Sequence, residues 1–94
     1  MTDRMRRGEA LNEALKVING DRQDRYGNPE DNFLLIARYW GTYLSRVLLP
    51  CDVANMMVLF KLARAQANGD RDSYVDLAGY CGLAADFTAG EGAE

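Results

Sequence analysis

Apolar residues recur every three to four positions along this chain, in four blocks separated by polar or turn-forming segments. In residues 8–19, Leu11, Ala14, Leu15 and Ile18 form one helix face. Asn19-Gly20 predicts the end of that helix, with Gly20 as the residue just past it. Residues 21–31 lack apolar periodicity and predict a loop. Its last residues predict a helix start, with Asn28 as cap, Pro29 at the first helical position, and Glu30 and Asp31 at the positive end of the dipole. The second block runs to about Leu48, with Phe33, Ile36, Ala37, Trp40, Leu44, Val47 and Leu48 as its stripe and Leu35, Tyr39 and Tyr43 beside it. Pro50 breaks it and helps to start the next.

The third block, 51–68, carries Val53, Met56, Met57, Phe60 and Ala63 on one side and Val58, Leu59 and Leu62 on much of the other. A helix apolar nearly all round is predicted to be buried. Asn68-Gly69 closes it. The fourth helix is expected from near Asp70 to about Thr88, with Tyr74, Val75, Leu77, Ala78, Cys81, Ala84, Ala85 and Phe87 in the core. Gly79 and Gly82 weaken it and so predict a close approach by a neighbour. Residues 89–94 read as a flexible tail. There is no strand alternation and no repeat. The expectation is one all-α domain over 1–94, a four-helix antiparallel bundle with its ordered core over about 8–88.

Composition narrows the function. With 94 residues and 48% hydrophobic positions the chain suffices for one domain, but a domain this small buries a modest share of its surface, so a homodimer or higher assembly is expected. A net charge of −3, with no basic run, argues against polymeric nucleic acid and leaves room for a small phosphate-bearing ligand. No apolar stretch reaches membrane-span length and the start has no apolar signal region, so no membrane association is expected. Cys51 and Cys81 lie in apolar surroundings and are expected to be buried free thiols, which fits a cytoplasmic setting. The absence of histidine removes the commonest acid–base residue and rules out a Cys/His zinc site.

The remaining chemistry gathers on the last two blocks. Asp52 and Asn55 share a face of the third helix, and Lys61 and Arg64 share another edge. Asp72 and Asp76, four apart, point the same way on the fourth helix and need a cation, either Lys61 or Arg64 or a Mg²⁺ ion held by oxygen ligands. A purely structural reading stands beside this one: Asp70 or Asp72 caps the fourth helix, Asp76 pairs with Arg64, and Asp52 serves the dipole of the third. Arg22, Arg25 and Tyr26 form a second candidate site, in which Arg forks hold phosphate and the Tyr ring stacks on a base; the alternative is a solvated loop with local ion pairs. Trp40, on its helical stripe, reads as core.

The segments GDRQDRYGNPEDNF, Ala37-Arg38-Tyr39-Trp40, DVANMMVLFKLAR and DSYVDLAGY resemble a family of small phage- and prophage-encoded proteins of unknown function. The likeness covers roughly three quarters of the chain. More distantly, the chain resembles the MazG-like all-α nucleoside triphosphate pyrophosphohydrolases. That resemblance implies a Mg²⁺ site built from an ExxE and an ExxD motif on successive helices, cleavage between the α and β phosphates by an activated water, and sites near subunit interfaces. Asp52 and Asn55 stand at the ExxE acids, and Ser73 and Asp76 at the ExxD acids, so two of the four are acidic. Asp72 lies one residue, about 100° of rotation, from Ser73.

Three functions follow as expectations. The first is Mg²⁺-dependent hydrolysis of a small nucleotide, with Asp52, Asn55, Asp72 and Asp76 on the metal, Asp72 and Asp76 acting in catalysis, and Lys61 and Arg64 on the phosphates. The second is a catalytically inactive module that sequesters a nucleotide through Arg22, Arg25, Tyr26, Lys61 and Arg64. The third is an anti-defence protein that binds a host protein.

Overall fold

The computed structural model describes residues 6–21, 28–69 and 71–90. Within them the chain is all-helical, with no strand. Helix α1, Arg7–Lys16, continues without a break into a π-helical turn, Val17–Asp21. It is followed by α2, Pro29–Leu44, α3, Pro50–Asn68, and α4, Arg71–Gly90.

Local chemistry explains most of these limits. The Asn28 carboxamide oxygen accepts the Glu30 N–H at 2.9 Å and Pro29 opens α2, as its sequence predicts. At the start of α1 the Glu9 carboxylate reaches back to the Arg6 N–H at 3.1 Å. Gly69 takes the left-handed conformation, φ 63°, that ends α3.

Three ends differ from expectation. The first helix does not stop before Gly20; widening into the π turn carries it on to Asp21. The second stops at Leu44 rather than near Leu48, because Ser45 turns left-handed at φ 58° and Arg46 donates its N–H to the Gly41 carbonyl at 2.9 Å. Val47 and Leu48 therefore lie in the connection to α3. The last helix continues through Gly90, past the expected start of the tail, and residues 91–94 lie outside the described set.

Helices α3 and α4 make the most extensive contact, α1 packs along α4, and α2 packs on α3. Ala54 near the start of α3 clusters with Ala84 and Phe87 late in α4, whereas Lys61 meets Asp76, so the two helices run antiparallel. Phe33 of α2 joins the cluster edge-on to Phe87, with 5.4 Å between ring centroids. Arg71 ties the start of α4 to Glu13 of α1 at 3.4 Å. The glycine prediction holds: a Cβ at Gly79 or Gly82 would stand 3.3 and 3.1 Å from the Ile18 side chain, so the missing side chains admit the π turn.

The core is thin. Among its buried apolar residues only Phe87 and Val53 are large and fully enclosed; most of the others are alanines. Helix α3, expected to be buried all round, buries one side only. Leu59 is 65% exposed and Phe60 49%. Cys81, Tyr74 and Ala85, expected in the core, face solvent. Both thiols are free, and Cys51 is half-buried.

Candidate functional site

Lys61 and Asp76 form the ionic centre of the described chain. The ammonium stands 3.0 Å from the Asp76 carboxylate, with both side chains about three-quarters covered. Lys61 and Arg64, one turn apart on α3, both approach the Phe60 ring, at 5.6 and 5.9 Å from its centroid. Of the two cations that could neutralise Asp76, the structure selects Lys61. Opposite this pair, Asp76 also borders a small cleft of about 30 Å³ under the π turn, closed by Val17, Ile18 and Tyr80.

Asp52 has a different task. Its carboxylate accepts the Leu49 N–H at 2.8 Å and closes the first turn of α3. It therefore performs the helix-start role that was the structural alternative to ligation. The antiparallel pairing of α3 and α4 also separates the acids. Asp76 lies opposite Lys61, so Asp52 and Asn55, nine and six residues earlier on α3, sit about 14 and 9 Å up the helix axis. Ser73 is buried, whereas Asp72 lies exposed next to it.

A Mg²⁺ ion takes near-octahedral oxygen ligands converging on one point. Among the described residues no group of three or more acidic, Cys or His side chains is arranged to hold a metal. Asp52 and Asp76 are engaged elsewhere and lie far apart within one chain, so this donor set does not fit the ion, and no step through a metal is derived. Arg22, Arg25 and Tyr26 lie outside the described residues. Trp40 is half-buried on α2.

Asp52 and Asn55 instead line a hollow of about 500 Å³ at the α2–α3 joint, together with Arg46, Val47, Met56 and Leu59. Sequence reasoning did not anticipate it, because the apolar stripe of α2 continues through Val47 and Leu48 as though the helix did. Along α2, Leu35, Tyr39 and Tyr43 recur every four residues and stand 50%, 68% and 89% exposed. No helix among the described residues is long and apolar enough to cross a membrane.

Comparison with known proteins agrees with the expected likeness to phage-encoded proteins of unknown function. The chain is 45% identical to the Gene 55 protein of Mycobacterium phage D29 over 73 residues, which make up 77% of this chain and 48% of that protein. It is also 45% identical to the Gene 55 protein of Mycobacterium phage L5 over 75 residues, 78% of this chain and 48% of that protein. The chain thus spans about half the length of the curated relatives it matches. No solved structure matches it. Residues 9–88 match the model of a domain of unknown function, DUF6378, and the chain belongs to that family.

Proposed function

We propose that this protein works by binding a host protein, through the tyrosine-bearing face of α2, and not as a self-contained metal-dependent hydrolase. One observation carries the reading. Leu35, Tyr39 and Tyr43 form a stripe along α2 that nothing in the described chain covers. Tyrosine supplies large contact area at small entropic cost and is enriched at protein interfaces. Lys61, Asp76 and Asp52 support the same reading, because each is engaged within the fold: Lys61 on Asp76 and Asp52 on the start of α3. The phage relatives make a bacterial protein a natural class of partner.

The experiment compares the wild-type chain with a Tyr39→Ala/Tyr43→Ala variant. Host proteins retained by the first and lost by the second are identified, purified and measured by calorimetry. At least a tenfold loss of affinity is expected; equal binding by the variant overturns the reading.

A second reading remains, that of a MazG-like pyrophosphohydrolase acting on a small nucleotide. It is favoured by Asp72 and Asp76 standing one turn apart on α4, with Lys61 and Arg64 on the facing helix. Release of pyrophosphate from a panel of nucleoside triphosphates with Mg²⁺ would establish it in place of the first.

A further inference from the structure

We infer that a hollow at the end of α2 receives an acidic segment of the protein bound by the tyrosine face, its carboxylates held by Arg38 and Arg46. The inference rests on the α2 reading and names the chemistry of its partner.

Residues 46–48 border two hollows. One is the hollow that Asp52 and Asn55 line. The other, also of about 500 Å³, lies against the last turns of α2, and its lining includes Arg38, Thr42, Ser45, Arg46, Val47 and Leu48. That lining holds two guanidinium groups and no Asp or Glu. Among the described residues neither Arg38 nor Arg46 makes an ion pair. Asp52 borders the neighbouring hollow, and its carboxylate already accepts the Leu49 N–H. The Thr42 hydroxyl donates to the Arg38 carbonyl at 2.8 Å, so the side-chain donors left for a ligand are the two guanidinium groups and the Ser45 hydroxyl. Guanidinium forks match carboxylates in bidentate geometry. In a chain of net charge −3, this hollow is a local positive site that average composition does not predict.

The hollow and the tyrosine stripe belong to one surface. At 100° per residue, with Leu35 as zero, Tyr39 and Tyr43 lie at about 40° and 80°, and Thr42 and Arg38 at about −20° and −60°. Ala37 and Gly41 lie on the opposite side of α2 and are buried. A protein laid on Leu35, Tyr39 and Tyr43 therefore meets Arg38 beside them and Arg46 past the end of the helix. Tyr and Arg are also the residue types that dominate binding energy at protein interfaces. A free inorganic anion would engage the arginines and leave the tyrosines uncovered, whereas an acidic stretch of polypeptide engages both. The frame exists before binding. Ser45 is already left-handed and the Arg46 N–H already bonded to the Gly41 carbonyl, so docking there orders little backbone.

The test is a backbone-amide chemical-shift titration of the chain by nuclear magnetic resonance. The probe is a blocked peptide of glutamates around one tryptophan, compared with its lysine counterpart and with inorganic phosphate at equal ionic strength. The glutamate peptide is expected to move the amides of Thr42, Ser45 and Arg46 saturably, with the lysine peptide and phosphate at least tenfold weaker. Arg38→Glu/Arg46→Glu changes exposed side chains only. It is expected to keep its helical circular dichroism and to bind the glutamate peptide at least tenfold more weakly. No saturable shift in the wild type, or equal binding by that variant, overturns the inference. An equal response to phosphate overturns it in favour of a general anion site, and an equal response to the lysine peptide in favour of apolar contact alone. The two readings fail separately. A host protein lost by Tyr39→Ala/Tyr43→Ala but kept by Arg38→Glu/Arg46→Glu overturns this inference and leaves the α2 reading standing. A host protein kept by Tyr39→Ala/Tyr43→Ala, in a chain that still binds the glutamate peptide, overturns the α2 reading alone.

Discussion

Ser45 holds a backbone conformation that costs a side-chain-bearing residue about 1–2 kcal/mol. Ser45→Gly removes that cost, and urea unfolding at fixed protein concentration is expected to show about 1 kcal/mol of added stability. Gly41 shows the opposite constraint. A Cβ there would stand inside contact distance of the Arg46 carbonyl oxygen, a backbone atom that cannot swing away. Gly41→Ala is expected to lose about 2–3 kcal/mol in the same assay. Asp52→Ala removes the acceptor of the Leu49 N–H, for an expected loss of about 1 kcal/mol. A loss near zero would show that the carboxylate serves something other than the helix start. Of these residues, the sequence made Asn28 legible because Asn-Pro-Glu-Asp spells a helix start unaided. Ser45 was illegible, because no Gly, Asn or Pro marks the stop and the apolar spacing runs on past it. The bond from the Arg46 N–H back to the Gly41 carbonyl closes the end instead, a local cap made without the glycine that usually announces one.

Between elements, the glycines of α4 announced a close neighbour, and Ile18 is that neighbour. Its identity could not be read, because a π turn rotates the residues beyond it away from the face that 3.6-residue spacing assigns. Gly79→Val is expected to cost about 1–3 kcal/mol. Ile18→Ala in the same chain should restore part of it, with a coupling of at least 0.5 kcal/mol in a double-mutant cycle. Additive losses would show that the two positions do not touch. The Lys61–Asp76 pair was legible as chemistry and not as geometry. Both residues stood out as groups needing partners, but choosing Lys61 over Arg64 requires the register between α3 and α4, which the turn at Gly69 sets. The same register parts Asp52 from Asp76, a separation that motif spacing along a linear chain cannot express.

For the whole molecule, an α3 that is apolar on every side was a sound reading of what the helix needs and a mistaken one of what a single chain supplies. Among the described residues Phe87 and Val53 are the only large side chains fully enclosed, so the chain has little core of its own to spare. The hollow at the α2–α3 joint has a different consequence. Its wall is held by main-chain atoms: the left-handed Ser45, and the Arg46 N–H on the Gly41 carbonyl. The exposed side chains of Arg46 and Val47 contribute nothing to that frame. Charge and bulk at this rim can therefore be changed without disturbing the fold, whereas a side chain at Gly41 would break the frame beneath it.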